Sequence, residues 1–183
     1  MDPSRPRLDA LAFALAIVLV AGLAIGFVSR GNGAATIMCA MCLAGLVGGR
    51  IVGLPGRVLL PVAVGLMVAL WIVWIDPPAS SRKTSALAHA IGGTVAGWAV
   101  VTALHRRIDD WLPVALLALT VVVAGTLVWE LGEYVGDRLF GTALIPRGRD
   151  SAEDVVFGTA GGVFGITVAG ALALWRARRV VRR

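Results

Sequence analysis

Apolar residues fall along this chain in six long runs separated by short polar or glycine- and proline-containing breaks. The runs are about 10–28, 33–49, 58–75, 84–104, 111–134 and 151–175. A helix needs roughly 20 predominantly apolar residues to cross a bilayer core, and each run is near that length. The pattern therefore predicts an all-α fold: a polytopic membrane protein, a bundle of six transmembrane helices forming one domain over residues 1–183. The second run ends at Arg50 and the breaker Gly53-Leu54-Pro55-Gly56, and the third carries Pro61 where a first turn would tolerate it. The basic start followed by an apolar run imitates a signal peptide. The run from Ala10 to Val28 is longer than a typical signal core and no clean small-x-small site follows it, so it reads as a retained helix.

Composition supports this class. The chain is 58% hydrophobic and 15% charged, far from the balance of a soluble domain. The net charge of +6 does not point to nucleic acid, because Lys and Arg stand at the ends of the apolar runs, as topology signals do. With both termini cytoplasmic, the inside segments hold Arg5, Arg7, Arg50, Arg57, Arg106, Arg107 and the arginines from Arg176 onward. The outside loops then hold Arg30, Arg82, Lys83, Arg138, Arg147 and Arg149. The excess lies inside, the arrangement expected of a cytoplasmic (inner) membrane protein. The partner is the lipid bilayer, and the Arg-rich tail from Arg176 to Arg183 is suited to anionic lipid. Trp74, Trp111, Trp129 and Trp175 fall near span ends, where aromatic belts form, whereas Trp71 and Trp98 lie deeper and read as packing residues.

Against that apolar background one stretch stands out. Residues 129–165 carry Glu130, Glu133, Asp137, Asp150, Glu153 and Asp154, six of the eleven acidic residues. Ionisable groups at the edge of a span are costly and usually functional. Glu130, Glu133 and Asp137 share one helix face at a helix C-terminus, where the dipole disfavours negative charge, so they need a cation, a basic partner or protonation. The plainer reading, a solvated helix end, suits Asp137 and not Glu130, which directly follows an apolar run. Asp150, Glu153 and Asp154 open the sixth run, and N-capping explains two of the three. Asp150 and Asp154 share a face, and Arg147 and Arg149 beside them could neutralise the cluster or clamp an anionic head group.

His89 sits in the fourth run about five residues from its outer end, roughly 7–8 Å deep at the helical rise. Glu130 and Asp154 fall at similar depth. One imidazole and several carboxylates could hold a divalent metal, with Glu130, Glu133, Asp154 and His89 as ligands; the plainer reading of a lone histidine is a hydrogen-bonded packing residue. His105, beside Arg106 and Arg107, reads as interfacial. Cys39 and Cys42 with Met38 and Met41 would suit copper(I), yet a single C-x-x-C is equally ordinary core. Gly158-x-x-x-Gly162, Gly161-x-x-x-Gly165 and the group Gly92, Gly93 and Gly97 predict close helix approaches, with Gly158 and Gly162 drawing the fifth and sixth spans together as antiparallel neighbours. An H-E-x-x-H, a G-x-S-x-G and a Walker A loop are all absent from the sequence.

The run from Trp129 resembles the YjdF-like family of small bacterial and archaeal membrane proteins. Their pattern is W-E-x-x-E, an aspartate shortly after, and D-x-x-x-D opening a glycine-rich last span. Trp129, Glu130, Glu133, Asp137, Asp150, Asp154, Gly158, Gly161 and Gly162 match it. A threonine often follows the first of the paired aspartates in the family, where this chain has Ser151. The resemblance covers about the last third of the chain, and since the family has no established activity it implies where a site lies and no reaction. A looser similarity is to VanZ-like proteins, linked to glycopeptide-antibiotic tolerance, through Arg149-Asp150-Ser151-Ala152-Glu153-Asp154 as an R-x-x-x-x-D entry to a span.

The sequence thus leads to an outward-facing acidic pocket between spans four, five and six that binds a cation or a polar lipid head group, built from Glu130, Glu133, Asp150, Asp154, His89 and Arg149. Two alternatives use the same residues: a metal-dependent hydrolase or transferase acting on an outer-leaflet lipid, and a small proton-coupled transporter with Glu130 as the titrating group. Few spans and no inverted repeat speak against the transporter.

Overall fold

A computed structural model describes residues 5–75, 82–141 and 150–181. Six α-helices and no strand occur among the described residues: α1 (Arg5–Val28), α2 (Gly33–Ile51), α3 (Gly56–Ile75), α4 (Arg82–Leu104), α5 (Trp111–Phe140) and α6 (Asp150–Val181). Four stretches, Pro6–Val28, Thr84–Leu104, Trp111–Leu139 and Ser151–Trp175, are long and apolar enough to cross a membrane, and Ala35–Ile51 and Gly56–Ile72 are shorter apolar helices. The chain is a multi-pass membrane protein by that criterion. The large apolar side chains left exposed, such as Leu11, Val18 and Ile25 on α1 and Leu116, Leu127 and Phe164 on α5 and α6, form an apolar outer surface suited to lipid.

The helices fall into two packed groups. In the first, α1, α2 and α3 bury Val20, Phe27, Cys39, Leu46 and Leu59. In the second, α4, α5 and α6 bury Val101, Val114, Ala118 and Ile166. Asp9 of α1 ties the first group at its α2–α3 turn. Its carboxylate accepts from Arg50 Nη1 at 2.8 Å and from the Arg57 backbone N–H at 3.4 Å, so α1 supplies the anion that the N-terminus of α3 favours. That turn needs Gly53, whose φ of 89° lies in the left-handed region. α2 is started by Asn32, whose Oδ1 accepts from the Ala35 N–H at 3.0 Å.

Pro61 lies in the second turn of α3, inside the helix, and not in its first turn; it withholds one backbone donor without ending the helix. α5 continues past Tyr134 to Phe140 and stops at Gly141, which adopts φ 63°, because no residue before that glycine breaks a helix. Trp71 is half exposed. Trp129 is turned inward against the α1–α3 core. The side chains of Trp74, of Asp150 and of the arginines from Arg176 onward, together with Arg147 and Arg149, lie outside the described residues.

The tightest helix pair is α4 with α6, which run parallel. A Cβ added to Gly93 would strike the carbonyl of Gly158, one on Gly97 that of Gly162, one on Gly161 that of Ala90, and one on Gly165 that of Thr94. Backbone thus rests on backbone, the approach that small residues permit in lipid. α5 runs antiparallel on the other side of Gly158 and Gly162, which meet Thr126 and Val122. Gly92, which was grouped with Gly93 and Gly97, meets nothing within 4 Å.

Candidate functional site

The glycine contacts set a register that builds the site. Gly97 of α4, Gly162 of α6 and Val122 of α5 form one layer, and Gly93, Gly158 and Thr126 form the next. A step of four residues on each helix, about one turn or 5.4 Å, leads to His89, Asp154 and Glu130. These three meet as the register requires. His89 Nε2 lies 3.1 Å from Glu130 Oε1, and His89 Nδ1 lies 3.3 Å from Asp154 Oδ1. One donor atom from each of the three falls within 4.8 Å of the others. Two layers of glycine therefore hold three polar helix positions against one another, at a place where their charges alone would keep the carboxylates apart.

All three groups are withdrawn from solvent. Glu130 is 8% exposed and Asp154 4%. The next turn adds Ser85, whose hydroxyl donates to Asp154 Oδ2 at 2.9 Å and whose carbonyl lies 3.1 Å from His89 Nδ1. A backbone carbonyl only accepts, so this contact assigns a proton to Nδ1. Nε2 then either carries a second proton or turns its lone pair towards Glu130. Neither Glu130 oxygen has an aligned hydrogen bond among the described residues.

Glu133, buried like Glu130, is held separately. Its Oε1 accepts from the Trp129 indole N–H at 2.7 Å. Through Trp129, which packs on the α1–α3 core, this carboxylate is fastened to the other half of the molecule. Met41 of α2 reinforces that link, lying against Gly132 between the two glutamates.

The structure thus brings together His89, Glu130 and Asp154 and sets Glu133 beside them on Trp129. The Asp150 side chain and Arg149 are outside the described residues, and the basic side chain set against the acidic cluster among the described residues is His89. Asp137 is half-buried in the last turns of α5. Ser85 was not singled out in the sequence, although it stands one turn before His89 as His89 stands one turn before Gly93. His105 contacts the Ile108 carbonyl and the Trp111 ring and takes no part. Cys39 and Cys42 are free thiols buried in the α1–α3 core. A wholly apolar cavity of about 310 Å³ opens between α3, α4 and α6 beside Pro61, Trp98 and Phe164, and none of its lining residues belongs to the polar cluster. No family model, curated protein or solved structure matches the chain.

Proposed function

We propose that this chain is an inner-membrane protein with six spans and cytoplasmic termini, whose α4–α5–α6 end faces outward and binds a cation among His89, Glu130 and Asp154. One observation carries the reading: Nε2 of His89 faces Glu130 Oε1 at 3.1 Å, inside a buried cluster in which Glu130 has no other aligned donor among the described residues. With Nδ1 holding its proton for the Ser85 carbonyl, two electron pairs meet across that gap unless a positive charge lies between them. An ion bound there serves both. The resemblance to YjdF-like proteins supports the same positions, since Glu130 and Asp154 belong to the shared pattern. A lipid hydrolase or transferase would add chemistry to the same site, with a carboxylate as general base.

The test uses the full chain purified in detergent and stripped with chelator. Adding Mn2+ or Zn2+ should bind about one ion per chain and raise the thermal unfolding midpoint. At a hundredfold excess over Kd the stabilisation is about 2.7 kcal/mol, or about 5–10 °C for a chain of this length. Absence of both a bound ion and a chelator-sensitive midpoint overturns the reading. Sidedness is checked separately with single cysteines placed in the 139–149 loop: they should label from outside the cell, and labelling only from the cytoplasm reverses the orientation.

A further inference from the structure

The cluster offers its donors unevenly, and that unevenness bears on which ion it takes. Asp154 Oδ2 is engaged by the Ser85 hydroxyl, Glu133 Oε1 by the Trp129 indole, and the Ser85 carbonyl by His89 Nδ1. What remains aimed into one gap is a ring nitrogen, His89 Nε2, and the carboxylate of Glu130, while Asp154 Oδ1 lies across the ring, 3.3 Å from Nδ1. Ca2+ needs six to eight oxygens and Mg2+ a near-octahedral oxygen shell. A gap that presents one carboxylate opposite one ring nitrogen serves neither. An imidazole nitrogen suits the first-row transition ions, and a gap of 3.1 Å matches two ligands spanning a small ion with bonds of about 2.0–2.1 Å. The other edge of the ring is organised as it is around many metal-bound histidines: Nδ1 faces a backbone carbonyl and a carboxylate, which fixes the tautomer and the ring plane.

We propose, resting on the cation-binding reading above, that the ion is a divalent first-row transition metal bound directly by His89 Nε2 and Glu130, with Asp154 and Ser85 as positioning residues on the far edge of the imidazole. Glu130 offsets one of the ion's two charges and anchors α5 to the α4–α6 pair through it. Asp154 acts through the ring rather than on the metal.

The experiment is pulsed EPR of Mn2+ bound to the full-length protein in detergent, with competition by Zn2+, Mg2+ and Ca2+. The expected result is a nitrogen coupling from a directly bound imidazole, displacement of Mn2+ by Zn2+ at concentrations at least about tenfold below those of Mg2+ or Ca2+, and no change on replacing His105, the second of the two histidines, in His105→Ala. His89→Gln should abolish the coupling, and Asp154→Asn should alter it while Mn2+ still binds. Mn2+ bound without nitrogen coupling, or Mg2+ or Ca2+ competing as well as Zn2+, overturns this inference and leaves cation binding standing. No binding of any of the four ions overturns both. The decisive measurement is on the unsubstituted protein, so a variant that fails to fold does not blunt it.

Discussion

Gly93→Ala is the most searching single change, and Gly92→Ala is its natural control. A methyl on Gly93 would strike the Gly158 carbonyl oxygen and come within 2.9 Å of both the Gly158 carbon and the Gly162 nitrogen, all backbone atoms of α6 that cannot rotate away. Non-bonded carbons settle at about 3.5–4.0 Å, so α4 and α6 must part by roughly 1 Å. Overpacking of this kind costs about 1–3 kcal/mol, a fall in the unfolding midpoint of about 2–12 °C for a chain of this length. The damage travels one turn up the same register, where the Ser85–Asp154 bond of 2.9 Å and the His89–Asp154 pair at 3.3 Å span the same two helices. Gly92 meets nothing within 4 Å, and alanine is the better helix former by about 1 kcal/mol, so Gly92→Ala should leave the midpoint level or raise it. The assay is thermal unfolding in detergent, with and without Mn2+. Equal midpoints for the two neighbours would refute the packing argument, and a lowered midpoint with undiminished Mn2+ stabilisation in Gly93→Ala would sever the link between the glycine register and the site.

Three further outcomes follow from the same geometry. Trp129→Phe keeps an aromatic ring against the α1–α3 core and deletes the 2.7 Å bond to Glu133; a hydrogen bond to a charged group contributes about 1.5–3 kcal/mol, so chemical or thermal unfolding should show a loss of that order, and an unchanged midpoint would mean the bond is dispensable. Cys39 and Cys42, buried to 0% and 3% exposure, should resist a maleimide in the native protein and react fully after denaturation; rapid native labelling would contradict their place in the core. Glu130→Gln should reduce Mn2+ stabilisation far more than Asp137→Asn, because Glu130 faces His89 and Asp137 is not part of that cluster; comparable losses would point to a diffuse surface field instead of a site.

The six apolar runs were readable because lipid imposes length and composition on every helix it surrounds. The polar cluster was readable for the complementary reason, that carboxylates beside an apolar run are conspicuous. A finer signal was present and less obvious: His89, Gly93 and Gly97 repeat the four-residue step of Asp154, Gly158 and Gly162, and Val122, Thr126 and Glu130 repeat it in reverse order along the antiparallel helix. That shared step is the register of the site. The antiparallel approach of α5 to α6 at Gly158 and Gly162 is as the spacing led one to expect. Periodicity tells which residues share a face and not every helix the face meets, so it did not disclose that the same two glycines also seat α4, the tighter partner. Trp129 shows the same limit. Its position near a span end fits an aromatic belt, and only its neighbours reveal that it turns inward to hold Glu133.

The pairing of α4 with α6 also fixes an order of birth. The ribosome delivers α4 and then α5, and their tightest partner emerges only after both. Until α6 arrives, His89 and Glu130 have each other and the Ser85 carbonyl, but Asp154 is missing from the ring's other edge, and the faces of Gly93 and Gly97 have no backbone to rest on. A nascent chain at that stage shows the insertion machinery a polar pair and an uncovered glycine groove on otherwise greasy helices. In packing alongside α4, α6 therefore does two jobs at once: it closes the seam and completes the charge cluster. Helices that meet out of sequence in this way make α6 the checkpoint for the two spans made before it.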